Sequence, residues 1–309
     1  MTAILRKELA DYFTSIRFIA FFILTFFAAA AGLLAASQGI RQVNLPEGFV
    51  FLGLFTTSGT VIPSLVSLLS LLVPLIGIAL GFDAINSERT GGTLSRLLSQ
   101  PVFRDSVING KFLAGVVTLT VIIATVLGLV AGYGLRMIGV PPTPEEVVRL
   151  FIYLALTIIY GAFWLGLAML FSVVLRRIAS SLLLSIGLWM VFSIFILLIA
   201  PAIANAIAPV SQNSTEPEMI RNMELQKMIL RLSPNTLFSE ATGALLLPMV
   251  IGSLGVISTS QASFMIANPL SFTQSLILIW PHLTSLISLS AVCFAISYIL
   301  FMRQEIRAT

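Results

Sequence analysis

The polar residues that could make specific contacts are concentrated in one stretch, residues 82–111, which lies between two strongly apolar runs. Its charged side chains are Asp83, Glu88, Arg89, Arg96, Arg104, Asp105 and Lys111. Leu94, Leu97 and Leu98 have the i, i+3, i+4 spacing that predicts one face of a short helix. Thr93 is the expected N-cap of this helix, and Pro101 should end it because proline has no N–H to donate. An apolar ridge flanked by arginines predicts a surface that docks onto another protein, with an ordinary solvated loop as the alternative.

No pattern for covalent or hydrolytic chemistry is present. The sequence Asn109-Gly110-Lys111-Phe112 lacks the glycine spacing and the hydroxyl after lysine that a phosphate-binding loop needs, so this chain is not expected to bind ATP. His282 is the only histidine, and Cys293 is the only cysteine, which argues against metal catalysis and excludes an internal disulfide. We therefore predict no catalytic residue, no metal site and no cofactor on this chain.

The composition is that of an integral membrane protein. Of the 309 residues, 58% are hydrophobic and 10% are charged, whereas about 25% are charged in an average soluble domain. The net charge of +4 comes from basic residues spread over several loops, so nucleic-acid binding is not expected. No cleaved signal peptide is predicted at the N-terminus.

Hydropathy divides the chain into six predicted spans, so the predicted fold class is an all-α integral membrane protein with six transmembrane helices. The spans cover residues 18–37, 61–82, 112–133, 150–175, 178–200 and 283–302, and the polar loop between spans 2 and 3 covers 83–111. Residues 1–17 form an amphipathic stripe typical of a helix lying in the membrane interface. Residues 205–282 are predicted to form an external cap, although their uncharged part, 241–281, could instead be re-entrant or hold further spans.

Charge bias predicts that both termini lie in the cytoplasm. The predicted cytoplasmic segments contain eleven basic residues, and the predicted outer segments contain six. The cytoplasmic set is Arg6, Lys7, Arg17, Arg89, Arg96, Arg104, Lys111, Arg176, Arg177, Arg303 and Arg307. This distribution obeys the positive-inside rule for a protein with an even number of spans.

The sequence of residues 88–111 resembles the first cytoplasmic loop of ABC-2 type permeases, which are the membrane subunits of one class of ATP-binding-cassette exporters. Within this family the resemblance is closest to the nitrous-oxide-reductase-maturation and gliding-motility branch. The positions that carry the resemblance are Glu88, Arg89, Gly91, Thr93, Leu94, Leu97, Leu98, Pro101, Arg104 and Lys111. The N-terminal residues Lys7, Glu8, Tyr12 and Arg17 resemble the elbow helix of the same family. The likeness covers about the first 200 residues and span 6, while residues 205–282 match only loosely.

The resemblance implies a single ABC-2 transmembrane domain over residues 1–309, whose loop is a cytoplasmic coupling helix that docks onto a separate ATPase subunit. It also implies two ATPase copies that carry ATP and magnesium, and a second permease chain, expected as a homodimer with a heterodimer as the alternative. The elbow helix is either a plain membrane anchor or one that also contacts the ATPase. The expected location is the inner or plasma membrane of a prokaryote, surrounded by lipid.

Two other functions remain open on sequence alone: a membrane scaffold that moves nothing, and a secondary carrier without an ATPase. The spans contain serine and threonine but almost no charge, which counts against a carrier driven by an ion gradient. Gly128 and Gly132 form a GxxxG motif in span 3, which permits close helix approach within the chain or in a dimer. The substrate, whether lipid, peptide, drug-like molecule or mechanical force alone, is not readable.

Overall fold

The computed structural model describes residues 2–39, 49–59, 61–92, 103–139, 141–211, 214–246 and 271–303, and all regular structure in these ranges is helical. Six helices in these ranges are long and apolar enough to cross a membrane, as predicted. The N-terminal half contains α1 (Thr2–Thr14), α2 (Ile16–Gly39), α3 (Gly53–Thr56), α4 (Leu65–Gly81), α5 (Asn86–Thr90) and α6 (Arg104–Ile138). The rest contains α7 (Pro144–Val174), α8 (Ile178–Met190), a π-helical turn (Val191–Phe195), α9 (Ile196–Ile207), α10 (Glu216–Leu230), α11 (Pro234–Leu246) and α12 (Phe272–Arg303).

Several helices extend beyond the spans that hydropathy predicted. Span 3 was predicted from residue 112, but α6 begins at Arg104, and span 6 was predicted from residue 283, but α12 begins at Phe272. Span 5 was predicted to end before Pro201, yet α9 continues through this proline. Hydropathy locates the apolar core of a span, whereas a helix also continues through polar residues while its backbone bonds persist, and membrane helices tolerate proline.

The chain forms two compact units, and the first comprises residues 1–187 and 287–309. Within it α4 packs most extensively against α7, and α1 packs against α6. The C-terminal part of α12 belongs to this unit, where the rings of Phe112 and Phe294 lie 4.3 Å apart. Spans 2, 3 and 4 therefore supply most of the buried core.

The start of α7 is fixed by polar contacts. Thr143 is the N-cap, and its side chain and that of Glu146 form a capping box. The second oxygen of Glu146 accepts hydrogen bonds from the backbone N–H groups of Phe51 (2.9 Å) and Leu52 (3.3 Å). One carboxylate thus connects the start of span 4 with the turn that precedes α3.

The close helix contact in this unit uses a glycine pair that sequence analysis did not select. Gly77 and Gly81 of α4 face the backbone of α7, where a Cβ on Gly81 would lie 2.6 Å from the carbonyl oxygen of Leu165. Gly128 and Gly132, by contrast, have no described atom within 4 Å of where a Cβ would be. Within the described part of the chain, neither glycine of the GxxxG motif in span 3 packs closely against another helix.

We expect Gly81→Ala to destabilise the protein by about 1–3 kcal/mol, because the new methyl group would meet rigid backbone in a packed core. Gly128→Ala is the matched control, since its methyl group would enter open space and helix propensity favours alanine. Thermal unfolding of both purified variants measures the effect. Equal melting temperatures for the two variants would contradict the assigned contact.

The second unit comprises residues 188–286. In it α9 packs against α10, where the Asn222 side chain donates hydrogen bonds to Asn205 and to the carbonyl of Ala208. Arg231 and His282 both contact the same oxygen of Glu240, at 2.9 Å and 2.7 Å. These contacts connect the end of α10 and the first part of α12 to α11.

Acid should weaken this three-residue contact. Burial raises the pKa of Glu240, but the hydrogen bonds from His282 and Arg231 lower it by more, so its pKa lies below the ordinary value of 4.5. A carboxylate with a lowered pKa stabilises the fold fully above its unfolded value, and this contribution is lost as the pH falls through the folded value. We therefore expect the melting-temperature difference between the wild type and Glu240→Gln to shrink below pH 4.5; a constant difference would contradict the contact.

Candidate functional site

The site is built around α5, the short helix that follows span 2. Its first backbone N–H groups have no partners within the helix, as at every helix start. The Ser172 hydroxyl of α7 accepts hydrogen bonds from the N–H groups of Ile85 (3.0 Å) and Asn86 (3.1 Å). This contact holds α5 against span 4 and so fixes the position from which Glu88 extends.

Three segments that are distant in sequence meet at one buried ammonium group. Lys111 Nζ of α6 lies 2.9 Å from Glu8 Oε1 of α1 and 2.8 Å from Glu88 Oε1 of α5. The exposed fractions of the Lys111, Glu8 and Glu88 side chains are 4%, 7% and 9%. Charges this deeply buried are retained in proteins only when paired, so these three groups depend on one another.

Two further side chains extend this arrangement to the surface, and the group of five, Lys7, Glu8, Asp11, Glu88 and Lys111, is called the ion cluster below. Lys7 lies 3.2 Å from Glu8, 3.6 Å from Glu88 and 3.4 Å from Asp11, and its side chain is 52% exposed. Burial lowers the pKa of Lys7, but the neighbouring carboxylates raise it by more, so the net pKa is above its usual value. Lys7 therefore stays charged at neutral pH and partly offsets the two buried carboxylates.

The C-terminal end of α1 is attached to span 2 by separate contacts. The Tyr12 hydroxyl donates a 2.9 Å hydrogen bond to the carbonyl of Leu80, one of the last carbonyls of α4. Burial raises the pKa of Tyr12 far above its usual value, so the hydroxyl stays protonated and able to donate. Just after α1, Arg17 pairs with Asp83 at 2.5 Å and lies over the ring of Phe82. Both ends of α1 are therefore fixed to the bundle.

Between α1 and the ends of spans 2 and 3 lies a cleft of about 490 Å³. The ion cluster, Tyr12, Arg17 and Asp83 line it, together with the backbone near Gly91. These groups can hold helices together by charge pairs, but no nucleophile with an adjacent base lies among them. No group of three potential metal ligands occurs in the described ranges.

The structure separates the predicted docking residues into three sets. Glu88 and Lys111 are buried in the ion cluster, together with Glu8, which was predicted in the elbow helix. Arg89, Gly91 and Arg104 are partly or fully exposed, and Arg89 lies near Arg176. Thr93, Leu94, Leu97, Leu98 and Pro101 lie outside the described residues, as does the predicted coupling helix that they form.

Sequence reasoning did not find that Glu8, Glu88 and Lys111 meet. The buried residues of α1 are Ile4 and Glu8. No sequence signal marks Glu8 as buried, because acidic residues are mostly exposed. The partner of Arg17, Asp83, was visible only as one of several charges in the loop.

Comparison with known proteins shows which family the chain matches. The profile of the ABC-2 family transporter proteins matches residues 2–306. The chain is 30% identical over 241 residues to a protein named "Probable ABC transporter permease protein NosY" from Pseudomonas aeruginosa, covering 76% of this chain and 78% of that protein. A protein of the same name from Stutzerimonas stutzeri is 28% identical over 172 residues, covering 54% of this chain and 59% of that protein.

Proposed function

Because the chain belongs to the ABC-2 family of transporter proteins, and is therefore a multi-pass membrane permease subunit of an ABC transporter, we propose that it couples ATP hydrolysis on a separate ATPase subunit to movement across the membrane. The family itself implies an ABC ATPase partner. The coupling step is assigned to the segment that joins spans 2 and 3. ATP and magnesium bind to the partner in this proposal, and this chain contributes no catalytic group.

The observation that carries the proposal is the ion cluster at the base of that segment. Glu88 and Lys111 stand on either side of residues 91–103, and both bind into the same buried cluster. A loop whose two ends are fixed in this way can transmit a displacement of its apolar ridge to spans 2 and 3 without deforming. Leu94, Leu97 and Leu98 form the ridge that contacts the ATPase in this proposal, and Arg89 and Arg104 fix its orientation by charge.

The assembly we propose has two permease chains and two ATPase subunits, with the termini of the permease in the cytoplasm of a prokaryotic cell. Spans 1, 5 and 6 expose most of their apolar surface in the described structure, which leaves area for lipid and for a second chain. Transport is outward in this proposal. The cargo is apolar or amphiphilic, or is mechanical force alone, because charges are confined to the ends of the spans.

Purification of the tagged chain in mild detergent from its native host tests the proposal. We expect a P-loop ATPase to co-purify and native mass spectrometry to give two ATPase and two permease chains. All catalytic groups for ATP hydrolysis in this complex should belong to the ATPase. Absence of any ATPase, even after crosslinking at residues 88–104, would contradict the coupling function and favour a scaffold or a carrier.

A further inference from the structure

The ion cluster joins three parts of the chain that are distant in sequence. Glu8 belongs to α1, Glu88 to α5 and Lys111 to α6, and a single ammonium group contacts both carboxylates within 2.9 Å. Separating α1 from α6 would leave opposite charges apart in a site with little water, where their attraction is strong. The link therefore resists displacement more than a surface ion pair does.

Packing beside the cluster adds a second attachment. A Cβ on Gly110, the residue before Lys111, would lie 2.9 Å from Cγ2 of Ile4, so α1 rests directly on the backbone of α6. Ile4 and Glu8 are one helical turn apart on the same face of α1, and both are buried. An apolar contact and a charge pair thus hold α1 at adjacent turns.

We infer that Lys111 is a positioning residue that makes α1 follow α5 and the start of span 3 when the ATPase displaces them. The inference rests on the proposed function and deepens it, because it assigns a path for the motion beyond the docking segment. Through Lys111, a displacement at Glu88 reaches Glu8, and α1 then carries it to the start of span 1. Lys111 acts through its two carboxylate partners and touches neither the ATPase nor a cargo.

Distance measurements by pulsed electron paramagnetic resonance on the complex with its ATPase test this path. Cys293→Ala first removes the native thiol. One label pair then joins Ala10 of α1 to Phe151 of α7, far along span 4 from the Ser172 contact, and a second joins Thr90 of α5 to Phe151; all three positions are exposed. Each pair is measured without nucleotide and with a non-hydrolysable ATP analogue.

The variants remove charges from the contact between Glu8, Lys111 and Glu88 while keeping side-chain volume. The triple variant Glu8→Gln, Lys111→Met and Glu88→Gln removes all three buried charges without leaving one unpaired. Glu8→Gln alone removes the contact between Lys111 and α1, leaves the longer Lys7–Glu88 pair at 3.6 Å, and serves if the triple variant does not assemble. Lys7→Met is the matched control, because this half-exposed lysine contacts the same carboxylates at 3.2 Å and 3.6 Å.

We expect the nucleotide to change the distance from Thr90 to the label in span 4 in the wild type and in every variant. The Ala10 distance should shift in the wild type and in Lys7→Met, and by less than half as much in the triple variant and in Glu8→Gln. An Ala10 shift of unchanged size in these two variants, or no Ala10 shift in the wild type, would overturn the inference while leaving the proposed function intact. No Thr90 shift in the wild-type complex would instead contradict coupling through this segment, and the inference would fall with it.

Discussion

Replacing Lys111 by methionine is expected to lower the free energy of unfolding by about 3–5 kcal/mol, the usual cost of breaking a buried ion pair by removing one partner. The variant removes the ammonium group that the buried carboxylates of Glu8 and Glu88 both contact, while the half-exposed Lys7 stays near both. The two buried like charges then repel each other without the cation that offset them. Denaturant titration of the purified protein in a lipid–detergent mixture measures the loss.

Lys7→Met is the matched control for this prediction. The same lysine-to-methionine change at a side chain that is 52% exposed should cost no more than about 1 kcal/mol, because solvent screens its ion pairs. Restoring neutrality by also changing Glu8 and Glu88 to glutamine should recover most of the stability lost in Lys111→Met. Equal losses for the two lysine variants would show that the cluster is not the buried unit described above.

Leu97→Asp is expected to remove the ATPase from the purified complex while the six spans still insert. A carboxylate placed in an apolar contact cannot keep its hydration, and central apolar contacts carry most of the binding energy of an interface. We expect at least a tenfold fall in co-purifying ATPase, equivalent to at least about 1.4 kcal/mol of binding free energy. Quantitative mass spectrometry of the pull-down measures the ratio of the two chains.

Ser95→Asp is the control for Leu97→Asp. It adds the same charge to the same segment, but in the predicted helix position 95 lies off the face of Leu94, Leu97 and Leu98, so ATPase binding should change little. Both variants should reach the membrane in wild-type amounts. A loss of ATPase in both variants would mean that charge, and not the leucine ridge, controls binding.

The number of spans could be predicted from sequence because the bilayer imposes a minimum length of apolar chain on each crossing. Helix ends were harder to predict. At Arg104 and Phe272 the helices begin well before the apolar core, because local backbone hydrogen bonds, and not hydropathy, decide where a helix begins.

The ion cluster could not be predicted, because it depends on which helices become neighbours. Glu8, Glu88 and Lys111 are separated by up to 103 residues, and each alone is consistent with an exposed interfacial charge. For the same reason, the glycines that make the close helix contact could not be predicted. Gly128 and Gly132 matched a packing motif, but Gly77 and Gly81 are the pair that faces the backbone of α7. A motif gives the ability to pack closely, and only the fold gives the partner.

Photo-crosslinking from position 97 in intact cells tests the central claim most directly. A photoreactive amino acid replaces Leu97 in one strain and Ser95 in a control strain, and the crosslinked products are identified by mass spectrometry. The account predicts that position 97 captures a P-loop ATPase, much more strongly than position 95 does. Capture of lipid alone, or of proteins without a P-loop, from position 97 would contradict coupling through this segment.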